Sequence, residues 1–445
     1  MTALAAGLRQ DASSAIAARA AAVIPGGVNS STRSQGAPLS IASAKGAYVT
    51  DADGNRYLDY HAAFGAILLG HLDDEVEAAV AQASTVLDLT GYGVSEPEVA
   101  LAEAVVGCIA SVEQMITLST GSEAVSYALR LARTATGRRY IVKVQGGFHG
   151  YTDPVMRNCI SPAERAYGWD PMSTGILPEV LEATLIADFN DIASLEALYE
   201  AYPDQIACVI MEPIPHNVGA LLPADGYLQA VRDLTRQQGS LLVFDEVITG
   251  FRHALGGYQS VAGVTPDLTT FGKALGNGHP VAGVGGSREV MRHADPSQGG
   301  TVTILGTFNG HASACAAGLA TIAHLTNHPD FYERTHRLGA RLRDGLNEIF
   351  TSAGVAGKAV GFGGTFSPYF TDGEPTSYRT LLTNSAVASR AFNRGLIERG
   401  FLLIPMPLKR SHISGSHTDA DIDATLAAAE DVVREMVAAG TAPRL

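Results

Sequence analysis

Short apolar runs alternate with helical patterns through the middle of the chain. The runs at residues 115–119, 140–144, 206–211 and 241–244 are continuous, and amphipathic helical patterns separate them. A strand that is buried on both faces needs apolar residues at successive positions, so this pattern predicts a parallel sheet covered by helices between about residues 70 and 311. The fold class expected from it is α/β.

The two ends of the chain have a mixed pattern. An amphipathic helix is predicted over residues 1–23, and a hairpin turn at 51–55 joins strands at 47–50 and 56–60, because Asp, Asn and Gly tolerate the positive φ of such turns. Towards the C-terminus, helices are predicted at 332–350, 385–399 and 419–438, and strands at 364–370 and 402–404. This mixture predicts a smaller α+β domain, which the N-terminal hairpin completes. The predicted domains are an N-terminal segment over 1–69, a large domain over 70–320 and a C-terminal small domain over 321–445.

Charge and cysteine usage exclude several classes of protein. The formal net charge is −14 without any run of Lys or Arg, so nucleic acid and anionic membranes are poor partners. All apolar runs are shorter than the about 20 residues that cross a bilayer. The four Cys residues have no CxxC spacing, which argues against a zinc site or a disulfide framework and leads us to expect a cytoplasmic protein.

Residues suited to binding an anion and a flat ring follow two of the predicted strands. Thr120, Gly121 and Ser122 lead into a helix, where small residues and backbone N–H groups favour a phosphate; an ordinary capped helix start is the alternative. Phe148 and His149 lie between glycines after the next strand. A flat ring could stack there, although a buried aromatic residue in a turn would give the same pattern.

A pair of carboxylates and a single lysine follow two further strands. Asp245 and Glu246 end a buried run, and an unpaired buried charge is costly, so at least one of them should meet a cation. That cation is either a protonated pyridine nitrogen or an arginine in a structural ion pair. Lys273 lies between an apolar strand and a glycine-rich turn, where partial desolvation would suit imine formation. A lone lysine is otherwise usually a solvated surface residue.

Three segments of the sequence together carry a resemblance to a known family. They are GGVNS at 26–30, FDEVITGFR at 244–252 and DLTTFGK at 267–273. Over nearly its full length the chain resembles the class III, fold type I aminotransferases, and within them the glutamate-1-semialdehyde 2,1-aminomutase subgroup. The resemblance implies a fold type I PLP-dependent transferase with a mostly parallel seven-stranded sheet, pyridoxal 5′-phosphate as cofactor, and a homodimer.

The same resemblance implies a role for each matching residue. Lys273 would be the Schiff-base lysine and proton shuttle, Asp245 would pair with the pyridine nitrogen, and Val247 would pack under the ring. The other cofactor residues implied are Thr120, Gly121 and Ser122 at the phosphate, Phe148 and His149 at the ring, Asn217 near the phenolic oxygen with the buried acid Glu212 beside it, and Thr307 donated by the partner subunit.

The substrate residues suggest how the chain departs from the aminomutases. Arg33 lies in the loop that binds the substrate carboxylate in that subgroup, and a guanidinium is well shaped for a bidentate carboxylate. The other substrate candidates are Phe64, Trp169 and Lys409. The segment 151–177, with Arg165, Tyr167 and Trp169, replaces a small Gly/Ser-rich lid, and Lys409 and Arg410 stand where the aminomutases have a glutamate.

A positive charge in place of a glutamate would repel an ammonium group and attract a second anion. The sequence therefore predicts an intermolecular aminotransferase that uses an amino acid and a keto acid or aldehyde. The alternative is glutamate-1-semialdehyde 2,1-aminomutase, which forms 5-aminolevulinate. A cofactor-free binding protein that kept the fold is a third hypothesis, which the set of Lys273, Asp245 and Thr307 disfavours.

Other ligand-binding motifs do not occur in the sequence. Neither GxGxxG after the first strand nor GxxxxGK[ST] is present, which disfavours a dinucleotide or ATP enzyme. Several histidines lie on separate segments without ligand spacing, and no metal is predicted from them. They are His61, His71, His149, His279 and His311.

Overall fold

The computed structural model describes residues 8–36 and 38–444, which form two compact units. Unit 1 contains the described residues up to Asp73, together with Glu333–Glu374 and the described residues from Thr383 onwards. Unit 2 contains Asp74–Tyr332 and Pro375–Leu382. The domain boundaries that the sequence predicts, after residues 69 and 320, remain predictions.

The strands of unit 2 form one seven-stranded sheet. In chain order through both units the strands are β1 (Ile41–Lys45), β2 (Tyr48–Asp51), β3 (Arg56–Asp59), β4 (Gln114–Leu118), β5 (Tyr140–Val144), β6 (Thr184–Ala187), β7 (Ile206–Met211), β8 (Leu241–Glu246), β9 (Leu268–Phe271), β10 (Ala282–Gly286), β11 (Lys358–Val360), β12 (Thr365–Tyr369), β13 (Phe401–Leu402) and β14 (Ser411–His412). The sheet of unit 2 has the order β4-β10-β9-β8-β7-β5-β6.

Only β10 interrupts the parallel arrangement of this sheet, since it is antiparallel to both β4 and β9. The pairs formed by β5, β6, β7, β8 and β9 are all parallel. The predicted α/β fold with a mostly parallel seven-stranded sheet is therefore confirmed. The apolar-run pattern did not predict β10, because its sequence AGVGG has one branched side chain among glycines, and it also missed the four-residue β6.

Helices surround the strands in both units. In chain order they are α1 (Asp11–Val23), α2 (Ala62–Gly65), α3 (Asp74–Ser84), α4 (Glu96–Cys108), α5 (Gly121–Thr136), α6 (Pro178–Glu182), α7 (Ile192–Ala201), α8 (Tyr227–Gln237), α9 (Gly257–Ala262), α10 (Arg288–Met291), α11 (Ala312–Asn327), α12 (Asp330–Ser352), α13 (Tyr378–Leu381), α14 (Ala386–Ile397) and α15 (Asp419–Ala438). Of these, α2 is a single turn in which Ala63 and Phe64 have left-handed φ values of 49° and 59°.

The core of unit 2 forms where α5 packs against the sheet. All six residues of β7 are buried, as the continuous apolar run predicted. On α5 the buried side chains include Val125, Leu129 and Leu131, which join sheet residues in one hydrophobic cluster. Gly137 ends the helix in the left-handed conformation, which glycine adopts without steric cost.

Unit 1 combines the two ends of the chain, as predicted for the smaller α+β domain. Its four-stranded sheet has the order β1-β2-β3-β13, so the N-terminal hairpin pairs with a C-terminal strand. The predicted turn at 51–55 is present, and Asp51 Oδ1 accepts hydrogen bonds from the backbone N–H groups of Asp53 and Asn55 at 3.0 and 2.8 Å.

The predicted N-terminal helix is shorter than expected. Within the described residues it begins at Asp11, and residues 8–10 are not helical; residues 1–7 of that prediction lie outside the described part of the chain. Strand β1 was also not predicted, because its sequence IASAK is mostly small or polar. Across residues 8–36 and 38–444, no helix is both long and apolar enough to pass through a membrane.

Candidate active site

A cavity of about 250 Å³ lies in unit 2 at the carboxyl ends of the parallel strands. Its walls come from the segments that follow β4, β5, β7, β8 and β9 and from the segment before β10. The lining residues are Ser119, Thr120, Gly121, Ser122, Phe148, His149, Gly150, Glu212, Asp245, Val247, Ile248, Lys273, His279, Pro280 and Val281. The structure thus brings together residues that the sequence analysis singled out on five separate strand ends.

Asp245 is held rigidly at the wall of this cavity. The carboxylate is only 4% exposed, and its Oδ2 lies 2.7 Å from His149 Nδ1. Its Oδ1 accepts hydrogen bonds from Thr270 Oγ1 at 3.0 Å and from the Val247 backbone N–H at 3.1 Å. A carboxylate only accepts, so the proton of this His149 contact lies on Nδ1. Within the described protein, the basic side chain that contacts this carboxylate is therefore a histidine and not an arginine.

The neighbouring carboxylate, Glu246, is held by hydrogen bonds in the interior. It is fully buried and accepts hydrogen bonds from Thr249 Oγ1, from the backbone N–H groups of Tyr258 and Gln259, and from Gln259 Nε2, at 2.6 to 3.1 Å. Burial raises the pKa of this carboxyl, although the hydrogen bonds lower it in part. Of the two acids that end β8, only Asp245 lines the cavity.

Lys273 occupies a strained position in the backbone. It follows β9 and begins a short 3-10 turn, Lys273–Gly276, with a φ of 42°. A non-glycine residue in the left-handed region costs roughly 1–2 kcal/mol, and such residues cluster at functional sites. Lys273 is the one lysine among the residues that line the cavity.

The start of α5 forms another wall of the cavity and has the helix cap that was one of the two interpretations of its sequence. Thr120 and Glu123 make a capping box: Thr120 Oγ1 accepts from the Glu123 N–H at 3.3 Å, and Glu123 Oε2 accepts from the Thr120 N–H at 2.8 Å. The backbone is also closely approached by its neighbours. A Cβ on Gly121 would lie 2.9 Å from Val247, and one on Gly150 would lie 2.3 Å from Ser122 Oγ.

Residues that follow β7 form hydrogen bonds to the loop that carries Phe148. Glu212 accepts hydrogen bonds from the backbone N–H groups of Phe148 and His216, both at 3.0 Å. Asn217 Nδ2 donates to the Gly146 carbonyl at 3.0 Å, and Asn217 is not among the residues that line the cavity. Phe148 itself is 38% exposed, as a ring that stacks on a ligand would be.

Lys143 is a buried residue of this region that the sequence analysis missed. Its ammonium donates hydrogen bonds to the carbonyls of Gly147, Val155 and Arg157 at 2.8, 3.3 and 2.6 Å. Burial lowers the pKa of this amine. A lysine inside the apolar run YIVKV was the available signal, because a charged residue in a buried strand must find polar partners.

Several residues that line the cavity were not predicted as site residues, although Ile248 lies in the segment 244–252 and His279 was considered as a metal ligand. Ser119, Gly150, Ile248, His279, Pro280 and Val281 line the cavity, and Thr270 supports Asp245 from the adjacent strand β9. Thr270 stands opposite Asp245 in the register of β8 and β9. That register depends on the pairing of strands and could not be obtained from local pattern alone.

The remaining predicted residues do not line this cavity. Thr307 is exposed in the segment before α11. Trp169, in unit 2, is 45% exposed, and the guanidinium of Arg157 lies 4.7 Å from its ring centre. The substrate candidates Arg33, Phe64 and Lys409 belong to unit 1.

Within unit 1, these candidates lie on three segments. Arg33 is exposed on the short 3-10 turn Ser31–Ser34, and Lys409 is half-buried. The neighbouring Arg410 is buried, and its Nη2 donates to the Phe64 carbonyl at 2.7 Å. A buried guanidinium therefore stabilises the left-handed turn that carries Phe64.

Comparison with known proteins places this fold and site in a family. The sequence model described as Aminotransferase class-III matches residues 30–402. Glutamate-1-semialdehyde 2,1-aminomutase of Alkaliphilus oremlandii is 40% identical over 423 residues, which cover 94% of this chain and 97% of that protein. The enzyme of the same name from Rhodopirellula baltica is 41% identical over 430 residues, 94% of this chain and 95% of that protein.

Solved structures agree in fold. An omega-transaminase from Sphaerobacter thermophilus superposes with a TM-score of 0.89 at 34% identity and covers 95% of this chain and 97% of its own. A transaminase with PLP bound superposes with a TM-score of 0.88 at 28% identity and covers 98% of this chain and 100% of its own.

The fold and the cavity are those of a PLP-dependent enzyme of fold type I. More specifically, the chain belongs to the class III aminotransferases. The residues present fit pyridoxal phosphate: the cavity offers a lysine amine, a fixed carboxylate, an aromatic ring and a helix start too crowded for a Cβ at Gly121. These groups match an aldehyde, a pyridine nitrogen, a flat ring and a phosphate respectively.

Proposed function

We propose that Lys273 is the residue that binds the cofactor covalently and that Asp245 is the partner of its pyridine nitrogen. The observation that carries this proposal is the convergence of one lysine amine and one buried, hydrogen-bonded carboxylate on the same cavity. Hydrogen bonds from several donors hold a carboxylate in place, and a carboxylate beside a pyridine nitrogen stabilises the protonated ring.

The rest of the cofactor site follows from the same cavity. The first turn of α5, with Thr120, Gly121 and Ser122, would hold the phosphate, because helix N-termini present N–H groups and a partial positive charge. Phe148 would stack on one face of the ring and Val247 would pack on the other. The residues that would support this arrangement are His149, Glu212 and Asn217, through the hydrogen bonds described above.

Lys273 would also carry the proton in amino transfer. When bound, pyridoxal phosphate supplies an aldehyde that condenses with amines and a ring that accepts electron density from the substrate carbon. The Lys273 amine would remove the proton from the substrate carbon that bears the amino nitrogen. It would then deliver this proton to a carbon of the cofactor. His149 and Thr270 would keep the Asp245 carboxylate in position during this transfer.

For the overall reaction, the first candidate is glutamate-1-semialdehyde 2,1-aminomutase, which moves an amino group within one molecule to give 5-aminolevulinate. The supporting observation is that the two relatives named above carry this name at 40% and 41% identity over nearly the whole chain. The comparisons thus favour the alternative of the sequence analysis over its main prediction. Arg33 would bind the substrate carboxylate in this reaction.

The second candidate is intermolecular transfer from an amino acid to a keto acid or aldehyde. Three observations favour it: the omega-transaminase at 34% identity, the charged pair Lys409 and Arg410, and the bulky segment 151–177 around Trp169. Basic residues attract a second carboxylate and do not favour an ammonium group. Phe64 and Trp169 would then contribute apolar surface for the substrate side chain.

One assay separates the two candidates. Purified protein saturated with pyridoxal phosphate is incubated with glutamate-1-semialdehyde alone, and 5-aminolevulinate is measured over time. Rapid formation without any added donor or acceptor supports the aminomutase. No product here, together with conversion of the cofactor to its amine form by a panel of amino acids, supports the intermolecular reaction.

A labelling experiment tests the role of Lys273 independently of the substrate. The protein is loaded with pyridoxal phosphate, reduced with borohydride and mapped by mass spectrometry, and we expect the label on Lys273. Lys273→Ala should remove both label and turnover, whereas Lys358→Ala, at a surface lysine that pairs with Glu374, should leave both intact. A label on another lysine would refute the assignment.

We also propose a homodimer in the cytoplasm, in which Thr307 completes the neighbouring subunit's phosphate site. The support is the exposure of large apolar residues around Thr307: Leu305 is 74% exposed and Phe308 63% exposed. Exposed apolar side chains of this size next to one another are typical of protein interfaces. A second cavity, of about 410 Å³, includes Phe308 and shares Ser119 with the first.

A further inference from the structure

Three side chains that commonly bind metal ions lie together on unit 2, and none of them lines the cavity described above. Glu75 lies in the first turn of α3, His324 lies in the last turn of α11, and His328 is the residue that follows that helix. One ligand atom from each residue lies within 4.8 Å of the others.

The spacing of the donor atoms matches a single metal ion. His324 Nδ1 lies 2.9 Å from Glu75 Oε2, and His328 Nε2 lies 4.0 Å from Glu75 Oε1. Around a tetrahedral zinc ion with bonds of 2.0–2.2 Å, two ligand atoms are about 3.3 Å apart. Small side-chain rotations would therefore bring all three atoms to bonding distance.

We propose that Glu75, His324 and His328 form a binding site for a divalent transition metal of the zinc class. Two imidazole nitrogens and one carboxylate oxygen suit zinc and its neighbours better than magnesium or calcium, which prefer oxygen ligands. The side chain of His328 is 50% exposed and that of Glu75 59% exposed, so water can complete the coordination. The net charge of −14 further attracts cations to the molecule.

Both imidazoles lie against the same carboxylate and against each other. Glu75 Oε2 lies 2.9 Å from His324 Nδ1, and Glu75 Oε1 lies 4.0 Å from His328 Nε2. The His324 and His328 rings have centroids 4.4 Å apart. The metal would take the place of the Nδ1 proton of His324, and the ring would keep its proton on Nε2.

This proposal departs from the sequence analysis, which predicted no metal. The prediction of no metal rested on five other histidines, and the spacing of four between His324 and His328 is the sequence signal for this pair. It brings the two rings together at the end of α11. The third ligand comes from a helix more than two hundred residues away in sequence, so only the packing of α3 against α11 brings it to the pair. A bound metal would link the beginning of α3 to the end of α11.

Zinc binding to the pyridoxal phosphate-loaded protein tests the site. The protein is treated with a chelator, dialysed against graded Zn²⁺ at pH 7.5, and bound zinc and the unfolding temperature are measured. We expect each chain to bind one zinc ion at this site. Zinc should also raise the unfolding temperature, because a ligand that binds the native state stabilises the native state. His328→Ala and Glu75→Gln should each weaken this binding at least about tenfold.

Glu77→Gln is the matched control, because Glu77 lies on the same helix and pairs with one histidine only, His279 Nε2 at 3.0 Å. This variant should bind zinc as the unsubstituted protein does. Cobalt(II) should give a tetrahedral absorption spectrum that His328→Ala removes and Glu77→Gln keeps. Equal zinc affinity in the unsubstituted protein and His328→Ala, or no zinc binding by the unsubstituted protein, would overturn the proposal.

Discussion

Asp245 and Glu246 are neighbours on one strand and have different environments. Successive side chains of a strand point to opposite faces, so the two carboxylates leave β8 in opposite directions. Asp245 lines the cavity beside His149, whereas Glu246 is enclosed by uncharged donors, and its pKa is raised by burial. The proposed roles of the two residues follow from this difference and not from their shared chemistry.

Replacing each acid by its amide tests this difference. Asp245→Asn should lower kcat by about two to three orders of magnitude, because a neutral amide does not stabilise a positive ring nitrogen and a broken buried pair costs about 3–5 kcal/mol. Glu246→Gln would place an amide NH2 against donors that now bind a carboxylate oxygen, so it should lower stability. The folded, cofactor-loaded variant should keep kcat within about twofold, because Glu246 does not line the cavity. Steady-state kinetics and the absorbance of bound cofactor measure both effects.

Equal losses in the two variants would contradict the assignment of Asp245. Retained cofactor absorbance in Asp245→Asn is the check that the loss lies in turnover and not in folding.

His417 should make the stability of the protein sensitive to acid. Burial lowers the pKa of this fully buried imidazole to about 4, and its Nδ1 accepts a hydrogen bond from the Ser414 backbone N–H at 3.1 Å. A histidine with a lowered folded-state pKa stays neutral when folded but is protonated when unfolded. Its contribution to stability is therefore present above pH 6.5 and is lost as the pH falls towards 4.

The corresponding experiment is denaturant unfolding at pH 7 and pH 5. The free energy of unfolding should fall by about 2 kcal/mol more for the unsubstituted protein than for His417→Gln. His293→Gln, at a partly exposed ring, should keep the pH dependence of the unsubstituted protein. An identical acid response in His417→Gln would show that His417 is not the group responsible.

At the scale of elements, the start of α5 combines helix capping with the wall of the cavity. The capping box of Thr120 and Glu123 fixes where the helix begins. Gly121 then permits Val247, on the segment after β8, to approach the first turn closely. The sequence offered capping and phosphate binding as alternatives, but the structure shows that the cap residue Thr120 also lines the cavity.

Gly121→Ala should disturb this contact. The new Cβ would lie 2.9 Å from both Cγ atoms of Val247, and relieving such an overlap costs about 1–3 kcal/mol of stability. We also expect weaker binding of pyridoxal phosphate, because both residues line the cavity. Thermal unfolding and cofactor titration measure the two effects.

Gly107→Ala provides the control, because a Cβ there meets nothing within 4 Å and the residue lies in helix α4. It should leave stability unchanged or raise it by up to about 1 kcal/mol through helix propensity. If Gly121→Ala behaved in the same way, the close approach of Val247 would not constrain the site.

At the scale of the whole molecule, the proposed dimer makes a prediction about mixed subunits. If Thr307 completes the neighbouring site, a mixture of Lys273→Ala and Thr307→Ala chains contains hybrids with one complete site. Each variant alone should have low activity. Thr307→Ala should be about 10- to 100-fold less active than the unsubstituted protein, because it loses a hydrogen bond to a charged group. After unfolding and refolding together in equal amounts, random pairing should restore about one quarter of full activity.

Light scattering on each protein should give the mass of a dimer. Recovery no greater than the sum of the separate variants would indicate that each site uses only its own Thr307, or that Thr307 has no role. As a control, Lys273→Ala alone is unfolded and refolded by the same protocol, which measures any activity recovered through refolding itself.

Local sequence patterns determined the buried strands and predicted the residues of the candidate site. Runs such as Ile206–Met211 are apolar throughout, and the structure has them as buried strands because solvent exclusion acts on each residue directly. The resemblance to class III aminotransferases, which rests on local segments such as those around Asp245 and Lys273, is confirmed by the comparisons.

Tertiary structure alone decided which distant residues meet. The contact of Thr270 with Asp245, the support of Phe148 by Glu212, and the approach of Glu75 to His324 all join separate segments. The glycine-rich β10 becomes a strand because β4 and β9 flank it. Such contacts depend on strand register and helix packing, which arise when the whole core is buried and which no short stretch of residues specifies.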